Sequence, residues 1–114
     1  MSTRQQLLAD ILITAAEGGI NYWAHVSNYR WNQGPAQTGF TARDREDTAA
    51  AFNVTIETAK LGIERIVTGE CQVNTRITDS VKFLNTHNEP DSEFDAQVAD
   101  AIIQAALFGE LVYS

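Results

Sequence analysis

The chain has 114 residues, 44% of them apolar and 20% charged, the balance of one globular domain rather than of a disordered chain. A formal net charge of −7 argues against binding duplex nucleic acid by phosphate neutralisation, and a lone cysteine, Cys71, excludes an internal disulfide and fits a reducing, cytoplasmic setting. No apolar run approaches the roughly 20 residues that span a bilayer, and the N-terminus lacks the clustered basic start of a signal peptide, so no membrane partner is expected.

Leu7, Leu8, Ile11, Leu12, Ala15 and Ala16 recur at helical spacing. They predict a helix from about Thr3 to Glu17, capped by Ser2 or Thr3 with Gln5 or Gln6 closing a capping box. Gly18-Gly19 would supply the left-handed stop. The stretch after it is NYWAHVSNYRW, where aromatic and β-branched residues favour an extended chain. Strict alternation would set Trp23, His25, Ser27, Tyr29 and Trp31 on one face, with Tyr22, Ala24, Val26 and Asn28 on the other. Asn32 to Pro35 is turn chemistry, and Gln37 to Arg43 can return, giving a β-hairpin over 20–43. Ala51 to Thr55 can add a third strand, with 43–47 as a polar, exposed loop between.

Three more helical stripes follow. Ile56, Ala59, Ile63, Ile66 and Val67 run from after Thr55 to a stop at Gly69. Val73, Ile77, Val81 and Leu84 form the next, capped by Asn74 or Thr75 and ended by Asn88 and Pro90. The last is Phe94, Val98, Ala101, Ile102, Ala105 and Phe108, capped by Asp91 or Ser92 and closed by Gly109. The tail Leu111-Val112-Tyr113 is apolar and should pack. The whole predicts a single α+β domain over 1–114: an N-terminal helix, a short antiparallel β-hairpin or three-stranded sheet, then three helices. The last helix and the tail together carry more apolar surface than one small core should bury, which predicts a homo-oligomer.

Chemical motifs are scarce. His25, His87 and Cys71 are far apart and show no zinc spacing. Asp91 to Asp95 resembles the start of a calcium loop, but it lacks the central glycine and has Ile102 at the twelfth position. Neither a metal nor a cofactor is expected. There is no nucleophile elbow, no histidine with a recognisable serine or cysteine partner, and no acid placed on an apolar stripe. Gly18-Gly19 follows a helix instead of preceding one, so its dipole opposes phosphate capture. The reading is of a protein that is not an enzyme.

The hairpin is the one candidate site. Residues 1–20 sum to −1, residues 21–45 to +2 and residues 46–114 to −8. All net positive charge thus lies beside the aromatics. Tyr22, Trp23, Tyr29 and Trp31 could stack a base, Arg30, Arg43 and Arg45 could pair with phosphate, and Asn21 and His25 could add directional hydrogen bonds. The competing reading is that the aromatics fill the inner face of a small sheet.

The stretch AAEGGINYWAHVSNYRW and the ending IIQAALFGELVY together resemble a group of small proteins encoded by actinobacterial phages and prophages, as does AKLGIERIVTGECQVN in the middle. Asn21, Tyr22 and Trp23 match that group's aromatic segment, and Phe108, Gly109, Glu110 and Tyr113 match its ending. The likeness is carried by the segments on either side of residues 33–53. It implies a phage origin and a place in the host cytoplasm, and it brings no catalytic residues. Three functions fit these readings. The first is a counter-defence factor that sequesters a nucleotide second messenger, such as a small cyclic nucleotide, in an aromatic and arginine pocket. The second is an acidic inhibitor or DNA mimic that blocks a host defence protein. The third is a phage structural or assembly component.

Overall fold

The structure is a computed structural model and describes residues 3–114. Its axis is helix α4, Ala96–Phe108, whose residues Val98 to Ala106 are all buried. A helix that is apolar on every side must be surrounded, and here one chain does the surrounding. Helix α1 (Thr3–Thr14), α2 (Ile56–Val67) and α3 (Thr75–His87) pack around it, the sheet lies against α1 and α2, and Phe52 meets Phe108 edge-on at the end of α4. One cluster joins Leu7, Leu12, Phe40, Ile63, Leu84 and Ile102. Of the two segments behind the expectation of a homo-oligomer, α4 finds its cover within the chain, whereas Leu111 and Val112 of the tail stay 38% and 52% exposed. The closest approach is between α2 and α4, where a methyl at Gly62 would overlap the carbonyl of Ile102.

The sheet is three-stranded and antiparallel in the order β1 (Ala24–Arg30), β2 (Gly39–Asp44), β3 (Ala51–Thr55), so the third strand forms as expected. Ala24, Phe40, Ala42 and Val54 point into the core, while His25, Arg43 and Asn53 lie exposed on the other side. Alternation breaks once. Ser27 pairs with Thr41 and Arg30 with Gly39, leaving Asn28 and Tyr29 together opposite Phe40. Asn28 takes the left-handed conformation at φ 52°, a conformation asparagine tolerates better than most residues. The bulge turns Tyr29 inward, and Trp31, past the end of β1, stays exposed, so Trp31 does not share the core side that Trp23 and Tyr29 take.

Several boundaries differ from the sequence reading. The strand starts at Ala24, because Ile20 to Trp23 form a turn in which the Ile20 carbonyl accepts from the N–H groups of Trp23 and Ala24. Arg43 and Asp44 belong to β2, and Asp44 is buried rather than part of an exposed loop. The first helix runs on through a wider π turn, Ala15–Gly19, and neither glycine has positive φ. Gly19 serves packing instead: a Cβ there would lie 2.8 Å from the Ala96 carbonyl oxygen. Of the two suggested caps of α1, Ser2 lies outside the described residues and Thr3 is already helical. Asn74 caps α3 as expected, accepting from the Ile77 N–H at 2.8 Å, and α3 ends at Asn88 with φ 58°. The cap of α4 is Asp95, not Asp91 or Ser92, and its carboxylate accepts from the Val98 N–H at 3.0 Å. Among the described residues no helix is long and apolar enough to cross a membrane.

Candidate functional site

The turn before β1 delivers Tyr22 and Trp23 to the flank of α4. There the carboxylate of Asp100 accepts from Trp23 Nε1 at 2.8 Å, from Tyr22 Oη at 2.6 Å and from Gln104 Nε2 at 2.9 Å. Gln104 uses its other end on the tail: its Oε1 accepts from the N–H groups of Val112 and Tyr113 at 2.8 and 2.9 Å. Tyr113 then stacks on Trp23, ring centroids 5.2 Å apart and planes within 8°, while Phe108 meets the same indole edge-on at 5.5 Å. The Tyr113 hydroxyl donates to Asp44 Oδ2 at 2.7 Å. One connected network thus ties the hairpin base, α4 and the tail. Every member is satisfied, and a satisfied polar network fixes a unique packing.

Burial followed by the hydrogen bond to Asp100 raises the Tyr22 hydroxyl well above the ordinary tyrosine value. The Tyr113 hydroxyl is pushed up to about 12, first by its bond to Asp44 and then by burial. For Asp44, burial alone would raise the carboxyl. The bond from Tyr113 and those from the backbone N–H groups of Glu46 and Asp47 outweigh it, and the net direction is down. Each of these three shifts moves its group further from neutrality, the two tyrosines upward and Asp44 downward.

The nine residues singled out in the hairpin do not come together; Asn21, for one, turns its side chain back to donate to the Ala16 carbonyl at 3.3 Å. Tyr22 and Trp23 belong to the network just described, and Trp23, 2% exposed and covered by Tyr113 and Phe108, has no free ring surface for a ligand. His25, Arg43 and Arg45 line a shallow depression of about 330 Å³ with Asp44 and Thr48. Arg45 Nε also donates to the Asn21 carbonyl at 2.9 Å, and Arg43 donates to the Thr48 carbonyl. At the far end of β1, Arg30 lies across Gly39 and donates to the Asn28 carbonyl at 2.8 Å, beside Trp31, which is 56% exposed. Tyr29 is half-buried and donates to Glu17 Oε2 at 2.7 Å; burial and that bond raise its hydroxyl as well. None of the four aromatics lines the depression that His25, Arg43 and Arg45 share.

The outer face of the sheet has its own character. From Gly18 to Arg43 the chain contains no aspartate or glutamate, in a protein that has 15. Elsewhere Arg65 pairs with Glu70 at 2.8 Å and Arg76 with Asp95 at 3.3 Å. Among the described residues no carboxylate lies within 4.0 Å of the side-chain nitrogens of Arg30, Arg43 or Arg45. Arg30 and Arg43 stand on the same outer face, four β2 positions apart, or about 13 Å along the strand. Ser27, Thr41 and Asn53 occupy the row between them.

Sequence reasoning missed Asp100, Gln104, Asp44 and Tyr113. Asp100 and Gln104 lie four residues apart on one face of an otherwise apolar helix, and that spacing was the available signal. Among the described residues no cluster of histidine, cysteine or acid could hold a metal. Compared with known protein families, curated proteins and solved structures, the chain matches none.

Proposed function

We propose that the protein is a non-enzymatic binding module that holds a nucleotide-type ligand across the outer face of its sheet. The observation that carries the reading is the acid-free run from Gly18 to Arg43, together with Arg30, Arg43 and the nearby Arg45, none of which has a carboxylate within 4.0 Å among the described residues, in a chain of net charge −7. Guanidinium groups left without a carboxylate are the natural partners of phosphate oxygens, which they can bind bidentately. Trp31 beside Arg30 adds an open indole for a base, worth about 1–3 kcal/mol per stacked base. The spread of Arg30 and Arg43 over about 13 Å suits a ligand with more than one phosphate, such as a cyclic or short linear oligonucleotide, better than a mononucleotide. A small acidic module of this kind, taken with the likeness to phage proteins, fits a counter-defence factor that removes a nucleotide signal from the host cytoplasm.

The test uses the two tryptophans. Trp23 is buried, so a base stacked on Trp31 should quench the exposed fraction of the fluorescence in a saturable way. A panel of cyclic dinucleotides, cyclic trinucleotides and short oligothymidylates should contain at least one such ligand, with a matching rise in melting temperature. Trp31→Ala or Arg30→Gln should remove both effects. Flat titrations across the panel, or quenching that survives Arg30→Gln, would overturn the reading.

A further inference from the structure

A second concavity lies on the other side of the hairpin base. It measures about 560 Å³, within the range of small-molecule sites, and shares no residue with the His25, Arg43 and Arg45 depression. Its walls come from three separate elements: Ile77 from the first turn of α3, Ala96 and Ala101 from α4, and Leu111 from the tail. Tyr22 forms one wall and remains 50% exposed although its hydroxyl is tied to Asp100. Leu111 beside it is 38% exposed. Large apolar side chains left open in a concave site are a surface awaiting cover.

Asp100 is the single charged side chain lining this cleft, and no lysine or arginine lines it. Its Oδ2 accepts only from Tyr22 and retains a lone pair, whereas Oδ1 already serves Trp23 and Gln104. The amides of Asn74 and Gln97 stand at the rim. An anion placed here would meet the Asp100 carboxylate, while the Arg76 guanidinium bonded to the Gln97 amide is already paired with Glu93 and Asp95; a flat molecule carrying a donor would find apolar walls and an acceptor at the base.

We propose that this cleft is a binding site for a neutral or cationic aromatic small molecule. The ring lies against Tyr22, Ala101 and Leu111, and its N–H or ammonium group points to Asp100. The cleft discriminates by charge in the direction opposite to the outer face of the sheet, which selects anions.

Three probes of matched ring size separate the possibilities: tryptamine, indole and indole-3-propionate, titrated against isotopically labelled full-length protein with amide shifts as the readout. Tryptamine should move the amides of Gly19, Gln97, Asp100 and Ala101 and bind about tenfold more tightly than indole-3-propionate, with indole between. Ala96→Leu, at an exposed position of the cleft wall, should fill the space and weaken tryptamine at least several-fold while leaving the melting temperature near that of the parent. Tyr22→Phe keeps the ring and should retain binding. No shifts with any probe, tighter binding of the propionate, shifts confined to other surfaces, or tryptamine affinity untouched by Ala96→Leu would each overturn the assignment.

Discussion

Trp23 and Trp31 are eight residues apart, and simple alternation would put them on one face of one strand. They end in opposite environments: Trp23 is 2% exposed with a bonded indole N–H and two rings packed against it, and Trp31 is 56% exposed at the strand's end. Two local features separate them. The turn at Ile20 to Trp23 places the first tryptophan before the strand and against Asp100 of α4, and the second lies past Arg30, the last residue of β1. The base of the hairpin is therefore tied into the fold, and its far end carries an exposed ring. One aromatic-rich segment thus has a buried, bonded end and an open one.

The sharpest way to break this comparison is to remove each ring in turn. Trp23→Ala deletes a fully buried side chain, leaves Tyr113 and Phe108 facing a void, and takes a donor from Asp100. It should cost about 3–5 kcal/mol in urea unfolding. Trp31→Ala, at an exposed position, should stay within about 0.5 kcal/mol of the parent. Similar losses for both would show that the tip is as structural as the base. Next in size is Asp100→Ala, which strands the Trp23 indole N–H and the Gln104 amide in the interior and should cost about 1–3 kcal/mol. The loss should persist in a Trp31→Ala background, because the two sites share no partners.

A third change acts on the bulge that divides the two ends. Asn28 sits at φ 52°, where a β-branched side chain is strained, so Asn28→Val should cost about 1–2 kcal/mol and Asn28→Gly only a few tenths. If valine is accommodated freely, the left-handed backbone at Asn28 is not what turns Tyr29 inward. Chemical unfolding of the pair of variants, read by circular dichroism, decides it.

How much of this was legible in the sequence follows from what periodicity can carry. The helical stripes at 56–67 and 96–108, the third strand at 51–55 and the cap at Asn74 were readable, because repeated burial imposes a period and caps have a side-chain signature. The bulge was not, since one residue in an unusual backbone state leaves no period behind. Asp100 was not either. A single acid amid Val98, Ala99, Ala101 and Ile102 looks like an ordinary interruption until its partners, 77 and 78 residues away, are folded against it. Gly18-Gly19 reads as a helix stop by composition alone, yet Gly19 is needed for close approach to Ala96. The arginines were legible as residue types and as a charge imbalance. Their separation into two ends of one face was not, because it depends on register.

The smallest expected effects concern pH, and they also separate base from tip. Asp44 has its folded value lowered, so its contribution to stability is complete above the ordinary aspartate value of about 3.9 and is lost as pH falls through the lower folded value. Tyr113 has its value raised to about 12, so its contribution is complete below the ordinary tyrosine value near 10 and is lost as pH rises toward 12. Tyr113→Phe removes one donor from Asp44 and leaves those from Glu46 and Asp47, so the acid limb should shrink without vanishing. The alkaline limb should shrink too, with Tyr22 and Tyr29 supplying the remainder, since both are raised in the same direction. Unfolding free energies measured between pH 2.5 and 11.5 should show both changes in Tyr113→Phe and neither in Trp31→Ala. An acid limb that Tyr113→Phe leaves intact would mean that the backbone donors alone hold Asp44, and that the tail is fastened through Gln104 and the indole rather than through its hydroxyl.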